Sequence, residues 1–597
     1  MYSQSKSAVP TEPVRSEFGL FLWGKEKFQR REEILKALQQ NPIFAKVPGA
    51  SASMARKDVW IHSVLQAREL IALKLKHGWP DTQFQESFGF LENTVQASPQ
   101  FRIFYSNLVR HMSDEQMVLW LPHVRNFEIL GCYAQTELGH GSNVKGIETT
   151  ATFHLDTDEF TLCSPTLSST KYWIGVAGVW ATHSIVVARL IINGTDHGNH
   201  LFLVQLRCLE THKPMPGVQL FDQGPKAFHG MLGFDNGAIR FENVSIPREN
   251  LLSRNAQVTR CGSYIPAKNT KHSYGSMITV RALMAEVTGW DLVKAVIVSY
   301  HYTNFRRQFR RSEAPGPEAT VFEYASVQQR LLPLLAQATA MIVVGRDIKV
   351  AYDEYAAADL EPGSSSLLED LHIRTVGAKV WATEITARGI EISRIACGGH
   401  GYSASAGFGR MYANAVNAVT YEGDNFVIGQ QIPKIAMKFL DSFTMAHCDL
   451  VYWQGLSRLV ERASSAGETY AAALTSLALV FSLSILHNPH HPSLVPFFLR
   501  PEERASLKKA YLHAINDLAT HHVAGIVQAF GFTEYELDSA LARADKSPYE
   551  SLFEAAKNSE LSGEKMEHMY PVIIETTNIW RKMQNEAAIS EQHRAKL

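Results

Sequence analysis

A polar, glycine-rich stretch at residues 131–143 carries side chains that could do chemistry. It reads G-C-Y-A-Q-T-E-L-G-H-G-S-N and places a hydroxyl (Thr136), a carboxylate (Glu137) and an imidazole (His140) close together, with no helix or strand period. Such a composition suits a phosphate-binding loop, a hydrolase site, a metal site or a polar turn. The stretch alone does not decide among the four.

Metal and hydrolase chemistry lack the further residues that they need. Glu137 is followed by His140 but by no third ligand nearby, and the 24 histidines form no H-E-x-x-H or comparable spacing. No G-x-S-x-G nucleophile elbow occurs. The six cysteines are widely spaced with no C-x-x-C pair, which fits a reducing compartment and excludes a local zinc ribbon. We therefore predict no metal site.

A second glycine-rich stretch, G-G-H-G-Y-S-A at 398–404, formally contains G-x-G-x-x-A. A dinucleotide-binding fingerprint needs a strand before it, whereas a long helical pattern precedes this one. Two interpretations stay open. The glycines end a helix, or they let backbone amides approach the phosphates or ribose of a ligand.

The run N-F-R-R-Q-F-R-R at 304–311 places four arginines in eight residues. Guanidinium groups grip phosphate with charge-assisted hydrogen bonds. The alternative is a solvated helix end, where cations interact favourably with the helix dipole. The two phenylalanines are too sparse to form a stacking platform for nucleic acid.

The segment Y-E-G-D-N at 421–425 precedes an amphipathic pattern. Asp424 or Asn425 suits the N-cap of the following helix. Glu422, which Gly423 follows, is not needed as a cap, and a carboxylate in a tight loop could act as a general base. The residues alone leave both roles open.

The elements that must position these residues belong to a soluble multidomain protein. The chain has 597 residues, 45% of them apolar and 20% charged. A net charge of −1 argues against nucleic-acid or acidic-membrane binding driven by bulk charge. No apolar run approaches the roughly 18 residues that cross a bilayer, so we expect no transmembrane segment. The N-terminus has no apolar region of the kind found in secretory signals.

Hydrophobic periodicity predicts a helical segment, then a β-rich segment, then further helical segments along the chain. Helix spacing runs through 30–40 and 59–75, and short β-rich runs at 160–163, 184–192, 200–206 and 238–247 are separated by turn clusters such as 193–199. We expect long helices over 276–310, 319–357 (kinked at Pro333) and 367–396, then a loop over 487–501. Further helices are predicted over 502–535 and 550–585.

Taken together, these segments resemble the acyl-CoA oxidase family, the peroxisomal flavoenzymes related to acyl-CoA dehydrogenases. Besides the stretches already quoted, the resemblance rests on motifs that occur in family order from about residue 15 to the C-terminus. These are G-I-E-T-T-A-T (146–152), S-P-T (164–166), K-Y-W-I-G (171–175), G-P-K (224–226), D-N-G (235–237), V-S-I-P-R-E-N-L-L (244–252), Y-G-S-M (274–277), Y-E-S-L-F-E-A-A-K-N-S (549–559) and the terminal A-K-L.

The resemblance implies an α+β multidomain fold with four parts. These are an N-terminal helical domain (1–130), a central β-barrel-like domain contacting flavin (131–265), a helical bundle with the catalytic base (266–440) and an additional C-terminal helical domain (441–597). It also implies bound FAD and a homodimer in which flavin contacts cross the subunit boundary. Ala595, Lys596 and Leu597 read as a variant of the S-K-L peroxisomal address and so imply an import receptor as partner.

The resemblance assigns the reaction to Glu422. This carboxylate matches the family's base, which removes the α-proton of an acyl-CoA thioester while the β-hydrogen leaves as hydride to the flavin. The products are trans-2-enoyl-CoA and, after electron transfer to O₂, H₂O₂. The Glu422 backbone N–H and a flavin ribityl hydroxyl would hold the thioester oxygen. A dry pocket would raise the pKa of the carboxyl.

Other positions match binding residues of the family. By resemblance, the flavin contacts are Thr136, Trp173, Gly175, Arg306 (to the pyrophosphate across the dimer interface), Gly398 and Gly399. Arg281 matches a contact to the CoA moiety. Glu137 and His140 are left with structural or supporting roles. A glycine at 175, where many dehydrogenase relatives carry threonine, would leave room for O₂ beside the flavin.

Some positions depart from the family pattern and keep alternatives open. Many relatives read G-G-x-G-K-T where this chain reads G-V-A-G-V-W-A-T (175–182), and Pro433 interrupts the segment after the base. The alternatives are a dehydrogenase that passes electrons to another flavoprotein and a non-catalytic member that binds acyl-CoA. The sequence does not reveal the preferred acyl chain length.

Overall fold

In a computed structural model of the chain, helical units flank one β-rich unit, which confirms the predicted α+β multidomain fold. The structure describes residues 9–266, 275–310, 316–358, 364–430, 440–487, 500–551 and 554. The terminal A-K-L, Pro433 and most of the segments predicted as a loop over 487–501 and as a helix over 550–585 lie outside these residues.

The N-terminal unit is helical, as predicted at 30–40 and 59–75. Its helices are α1 Glu17–Trp23, α2 Lys25–Gln39, α3 Arg56–His77, α4 Asp81–Ser87, α5 Ser106–His111 (entered through a π-helix, Gln100–Tyr105) and α6 Asp114–Arg125. α6 begins with a capping box between Ser113 and Gln116. Fully buried Ile34, Leu70 and Phe84 belong to a core of this unit's own.

The β-rich unit follows. Its strands are β1 Gly131–Ala134, β2 Thr150–His154, β3 Glu159–Cys163, β4 Lys171–Gly175, β5 His183–Ile192, β6 Thr195–Gln205, β7 Val218–Asp222, β8 Asn236–Phe241, β9 Val244–Pro247, β10 Gln257–Val258 and β11 Tyr264–Ile265. Strands β1, β5, β2, β3 and β9 follow one another in the largest sheet, with β6 also paired to β5. A second sheet has the order β4-β8-β7, and β10 pairs with β11.

Two features of this unit differ in detail from the predicted pattern. The predicted turn over 193–199 is confined to Asn193 and Gly194, whose φ values are +48° and +76°, so β6 begins at Thr195. Asn-Gly alone supplies the two left-handed residues that a tight hairpin needs. The predicted run 238–247 is divided between β8 and β9 by a turn that contains Asn243, φ +52°.

Three long helices form the central bundle: α7 Gly275–Phe305, α8 Ala325–Ala358 and α9 Ser364–Ala396. α7 ends five residues before the predicted end at 310, and α8 continues through Pro333. Among the described helices, α8 is long and apolar enough to cross a bilayer, but 72% of its most apolar window is buried inside the protein. Its composition is therefore that of a bundle core helix.

The remaining helices complete the fold. They are α10 Phe408–Val416, α11 Asn425–Gly429, α12 Leu440–Ser465, α13 Ala471–His487, α14 Pro501–Asp517 (followed by a π-helix, Leu518–His522), α15 Val523–Phe530 and α16 Glu534–Leu537. α15 ends where Gly531 adopts φ +53°, which divides the helix predicted over 502–535. Buried Tyr452, Phe481 and Leu518 share one hydrophobic core with Leu335 and Trp381 of the bundle. The C-terminal helices thus support the bundle directly.

A buried ion pair joins the two ends of the chain. Arg31 of α2 donates from Nε and Nη2 to the two carboxylate oxygens of Glu536, at 2.8 and 2.7 Å, and also from Nη2 to the Gly531 carbonyl at 2.5 Å. Arg31 and Glu536 are 1% and 4% exposed. The Thr533 N–H and hydroxyl donate to the same carboxylate. The pair therefore fixes the N-terminal helices against the C-terminal ones.

We expect Arg31→Leu to destabilise the protein by about 3–5 kcal/mol, because it leaves the Glu536 carboxylate buried without its partner. Urea unfolding measures the loss. The control is Arg374→Leu, which breaks an exposed pair with Asp370 on α9 and should cost less than about 1 kcal/mol. Equal losses in the two variants would contradict the structural role of the Arg31–Glu536 pair.

Candidate active site

The predicted base lies in a strained loop between α10 and α11. Glu422 adopts φ +57° and Gly423 adopts φ +100°. A left-handed glutamate is uncommon and costs about 1–3 kcal/mol, so it persists only where surrounding contacts enforce it. A Cβ at residue 423 would also lie 3.0 Å from an Arg281 guanidinium nitrogen and closer still to Ile428. Gly423 is required both for the backbone conformation and for this close approach.

Two buried cations hold the loop through its backbone carbonyls. Arg281 of α7 donates from Nε to the Glu422 carbonyl at 2.7 Å. Lys379 of α9 donates from Nζ to the Gly423 carbonyl and to Asn425 Oδ1, both at 2.6 Å. Arg281 is 4% exposed and Lys379 is fully buried. The loop is therefore fixed to two helices of the bundle at successive carbonyls.

The residues after Gly423 anchor the loop on its other side. Asp424 accepts a hydrogen bond from the Val427 N–H at 3.1 Å, which confirms its predicted role as the N-cap of α11. Buried Asn425 donates to Thr383 Oγ1 at 2.9 Å and to Glu384 Oε1 at 3.1 Å. Asn425 is thus tied to α9 in addition to Lys379.

The same surroundings set the proton affinity of the Glu422 side chain. Burial raises the pKa of Glu422, as predicted for a dry pocket, while the positive charges of Arg281 and Lys379 oppose the rise. Burial also lowers the pKa of Lys379 to about 8 and the pKa of Arg281 below its usual range. Glu422 as a whole residue is half-buried. Its carboxyl group therefore combines a fixed position with a raised affinity for a proton.

The opening stretch forms the connection between β1 and β2, which pair in parallel with successive halves of β5. Buried Glu137 closes this connection, because its carboxylate accepts hydrogen bonds from the Glu148 N–H at 2.8 Å, the Thr149 N–H at 3.0 Å and Lys171 Nζ at 3.0 Å. His140 Nδ1 lies 3.6 Å from the same carboxylate. Glu137 thus holds the loop together and is enclosed within it.

Three predicted flavin contacts lie side by side at this loop. The Tyr172 N–H donates to the Thr136 carbonyl at 2.8 Å, which places Thr136 beside Trp173 and Gly175 of β4. Pairing of β4 is irregular between Lys171 and Ile174, and Trp173 adopts φ +62° with its side chain 57% exposed. The Thr136 hydroxyl makes no hydrogen bond with any described residue. A hydroxyl without a described partner and an exposed indole therefore occur on neighbouring segments of the β-rich unit.

The backbone after Gly175 is fixed by two buried residues that the sequence does not reveal. Arg207 donates to the carbonyls of Ala177, Gly178 and Ala181 at 2.6–3.0 Å. The Asp235 carboxylate accepts from the Val179 N–H at 2.9 Å. The segment that departs from the family pattern is therefore an ordered turn. No local signal marks Arg207 or Asp235 for this role, since both are distant in sequence.

The resemblance predicts that the missing side chain of Gly175 leaves room for O₂ beside the flavin. The structure shows what a Cβ at this position would contact. A Cβ there would lie 3.1 Å from the Phe234 ring, a tight contact rather than open space. Phe234 is a buried member of the β-unit core. Room beside Gly175 therefore depends on the position of that ring.

The other predicted flavin residues form a separate group. Arg306, just after α7, donates to the Tyr549 hydroxyl at 2.7 Å, and its guanidinium lies 5.4 Å from the centre of that ring. The Tyr302 hydroxyl and His400 Nδ1 are 2.5 Å apart. This contact brings Arg306 close to the stretch that contains Gly398 and Gly399.

The structure explains the three glycines at 398, 399 and 401 to different extents. Gly398 ends α9 with φ +61°, which favours the helix-end interpretation for this residue. A Cβ on Gly401 would lie 2.3 Å from the Arg394 carbonyl oxygen, so packing excludes a side chain there. Gly399 has neither constraint, because its φ is not positive and no atom of the described residues lies within 4 Å of a Cβ placed there. Neither backbone conformation nor packing among the described residues therefore explains why residue 399 is a glycine.

The Glu422 loop and the Arg306 group contact α7 and α9 at points that are far apart along the helix axes. Tyr302 follows Arg281 by 21 residues in α7, about 32 Å along a helix axis. Ala396 follows Lys379 by 17 residues in α9, about 26 Å. The structure therefore does not bring Arg306, Gly398 and Gly399 together with Glu422 of the same chain.

No group of three His, Cys, Asp or Glu side chains among the described residues is placed to hold a metal ion. The six cysteines, all within the described part of the chain, are free thiols: Cys132, Cys163, Cys208, Cys261, Cys397 and Cys448.

The glycine geometry makes a paired prediction. We expect Gly401→Ala to lower the free energy of unfolding by about 1–3 kcal/mol, because the new methyl group must displace the Arg394 carbonyl. Gly399→Ala, two residues away, should leave it within about 0.5 kcal/mol of the wild type. Urea unfolding of both variants checks this, and a larger loss in Gly399→Ala than in Gly401→Ala would show that the assignment is wrong.

Three family profiles match the chain in succession. They are described as acyl-coenzyme A oxidase N-terminal (residues 15–130), acyl-CoA oxidase C-alpha1 domain (274–437) and acyl-CoA oxidase (430–577). Peroxisomal acyl-coenzyme A oxidase 1 of Arabidopsis thaliana is 31% identical over 625 residues, covering 90% of this chain and 92% of that protein. The Mus musculus protein of the same name is 39% identical over 343 residues, 57% of this chain and 51% of its own length.

Solved structures agree with the profiles. Arabidopsis thaliana acyl-CoA oxidase 1 superposes with a TM-score of 0.84 at 28% identity, covering 94% of this chain and 97% of that one. Acyl-CoA oxidase-2 of Caenorhabditis elegans, solved with FAD, ascaroside-CoA and ATP, gives 0.86 at 26% identity and covers 94% and 96%. With 90% of its length matched by a relative that is 31% identical, the chain belongs to the acyl-CoA oxidase family.

Proposed function

We propose that this acyl-CoA oxidase uses Glu422 to start the FAD-dependent conversion of acyl-CoA and O₂ to trans-2-enoyl-CoA and H₂O₂. The observation that carries the assignment is the strained loop, in which two buried cations hold the backbone of Glu422 and burial raises the pKa of its side chain. A structural carboxylate does not need a left-handed backbone or a raised pKa. A general base benefits from both fixed geometry and raised proton affinity.

The base removes a proton from the carbon next to the thioester carbonyl. That proton is weakly acidic unless negative charge on the carbonyl oxygen is stabilised. The Glu422 N–H makes no hydrogen bond within the described residues, whereas the Glu422 carbonyl is bound by Arg281. The fixed carbonyl orients the peptide groups on either side, so the free N–H is available to the thioester oxygen. The proton moves to the Glu422 carboxylate as the Cα–H bond breaks.

The residues around Thr136 fit a flavin. A hydroxyl without a described partner, an exposed indole and a glycine occur on two adjoining segments, a set that suits a flat ring system with polar edges. FAD bound there would supply the acceptor for the hydride from the β-carbon and the route for the two electrons to O₂. Thr136, Trp173 and Gly175 would hold the ring system, and Lys171 and Glu137 keep their loop in place.

A homodimer accounts for the second group of residues. Arg306, Gly398 and Gly399 lie about 26–32 Å along the helices from the Glu422 loop, too far to serve the same ring system. Gly399 offers unhindered backbone and Arg306 a guanidinium, which together suit a diphosphate. A second copy of the chain would bring this group to the flavin of its partner. Exposed Phe309 and Tyr402, 74% and 83% accessible, are apolar surface that such contact would cover.

The enzyme acts in the peroxisome, the compartment named for its Arabidopsis and mouse relatives. Ala595, Lys596 and Leu597 lie outside the described residues and would be bound by the import receptor. Arg281, the predicted CoA contact, donates from Nε to the Glu422 carbonyl, and its role toward CoA stays a prediction.

Glu422→Gln tests the base. We expect peroxide release with hexadecanoyl-CoA to fall by about 100- to 10,000-fold, since the amide cannot accept the α-proton. Bound FAD, measured by its absorbance, should remain at the wild-type level. Activity within a few fold of wild type would rule out Glu422 as the base.

Lys379→Met tests the electrostatic role of the buried lysine. Lys379 lowers the pKa of Glu422, so its removal raises that pKa, and the acidic limb of the kcat/KM profile should move to higher pH. The difference should be largest below about pH 8, the pKa of Lys379 in the wild type. Lys379→Arg retains the charge and should retain the wild-type limb. If the acidic limb of the kcat/KM profile of Lys379→Met stayed at the wild-type pH, the charge of Lys379 would not set the pKa of Glu422.

A further inference from the structure

A large cavity lies between the N-terminal helices and the bundle. Its volume is about 1020 Å³, and its walls come from α1, α2, α4, α5 with the preceding π-helix, α7 and α8. Both the cavity and the base loop contact α7, since Leu283 and Val287 line the cavity two and six residues after Arg281. Trp290, nine residues after Arg281, lies about 14 Å farther along the helix.

The walls of the cavity combine apolar side chains with an excess of cationic ones. Phe101, Val109, Leu283 and Val287 supply apolar wall, and Val287 is 40% exposed although it lies on a core helix. Lysine and arginine side chains outnumber carboxylates on the walls by eight to four. An occupant that is both apolar and anionic would complement such a surface.

Two carboxylates of the walls are already engaged with cations. Glu286 accepts from Lys27 Nζ at 2.5 Å and from Arg346 Nε at 3.2 Å. Although burial raises the pKa of Glu286, these two cations outweigh it and hold the pKa at about 2. Glu86 forms two hydrogen bonds with Arg30 at 2.7 and 2.8 Å. These acids cannot neutralise further cations.

Two arginines of the walls lack a carboxylate. Among the described residues, no carboxylate lies within ion-pair distance of Arg102 or Arg110, which line one wall eight residues apart. Arg110 donates instead to the hydroxyls of Tyr352 and Tyr355, at 3.3 and 3.5 Å, and lies over both rings. Arg102 donates to the Gln85 carbonyl at 3.3 Å, and its buried Nε has no partner among the described residues. Arg110 in particular is held in place without being neutralised.

We propose that this cavity binds a long-chain carboxylate, with the chain against Phe101, Val109, Leu283 and Val287 and the carboxylate on Arg110. One source is a free fatty acid. The other is the far end of an acyl-CoA that carries a second carboxylate, with its thioester at Glu422. Only this second source rests on the proposed function, since binding of a free fatty acid requires no turnover.

Direct binding tests the cavity. Dodecanoate and dodecan-1-ol, which differ in charge at matched length, are titrated into the holoenzyme by calorimetry. We expect Arg110→Leu to weaken dodecanoate binding at least tenfold and to leave dodecan-1-ol binding unchanged, while Arg110→Lys restores much of the loss. An unchanged dodecanoate Kd in Arg110→Leu would overturn the proposal, as would equal losses for the two ligands.

A second variant guards against a folding defect. Val287→Glu places a negative charge on the exposed cavity wall without removing Arg110, so it should weaken dodecanoate binding and spare dodecan-1-ol. Arg374→Leu, on the exposed surface of α9, is the matched control and should bind dodecanoate like the wild type. Thermal unfolding of each variant confirms that it is folded. Tight dodecanoate binding to folded Val287→Glu would also overturn the proposal.

Turnover distinguishes the two sources. Peroxide release is compared for hexadecanoyl-CoA and hexadecanedioyl-CoA in wild type and Arg110→Leu. A raised KM for hexadecanedioyl-CoA alone identifies the far end of the substrate as the occupant. Unchanged KM values with lost dodecanoate binding identify a separate fatty acid. If Glu422 were not the base, the calorimetric result would still stand, so failure of the proposed function is distinguishable from failure of this one.

Discussion

The hydrogen bonds from Arg281 and Lys379 to two successive carbonyls are the constraint on which the site depends. They allow a glutamate to occupy a left-handed conformation that a free loop would abandon. They also surround its carboxyl group with positive charge, which limits how far burial can raise the pKa. One pair of contacts thus sets both the position of the base and its ionisation.

The bundle is what makes this constraint rigid. Arg281 and Lys379 project from α7 and α9, whose buried faces share a continuous core with the C-terminal helices. The same two helices end near Tyr302 and Ala396, at the Arg306 group. One rigid unit therefore carries both the loop of the base and the second group of predicted flavin residues. The β-rich unit contributes the third part, the loop closed by Glu137.

Features encoded by neighbouring residues could be predicted from the sequence, and features built from distant ones could not. Helix periods, the Asp424 cap and the end of α9 at Gly398 depend on residues within a few positions. The role of Glu422 required the family resemblance, because its surroundings come from residues such as Lys379, 44 positions from the carbonyl it binds. The roles of Arg207 and Asp235 were not predicted for the same reason, at 30 and 56 positions from their partners, although Asp235 begins the D-N-G motif. The charge of the cavity is distributed over so many helices that no single stretch suggests it.

The pairing of Arg31 with Glu536 also has a consequence for biosynthesis. The partners are 505 residues apart, so at a translation rate of about 5–20 residues per second the arginine waits roughly 25–100 s for its carboxylate to be made. During that interval the first helices can form but cannot complete their burial, since a lone guanidinium would be enclosed. The contact between α2 and the C-terminal helices therefore forms only after Glu536 has been synthesised, whereas the core that contains Ile34, Leu70 and Phe84 is built from residues made early in translation.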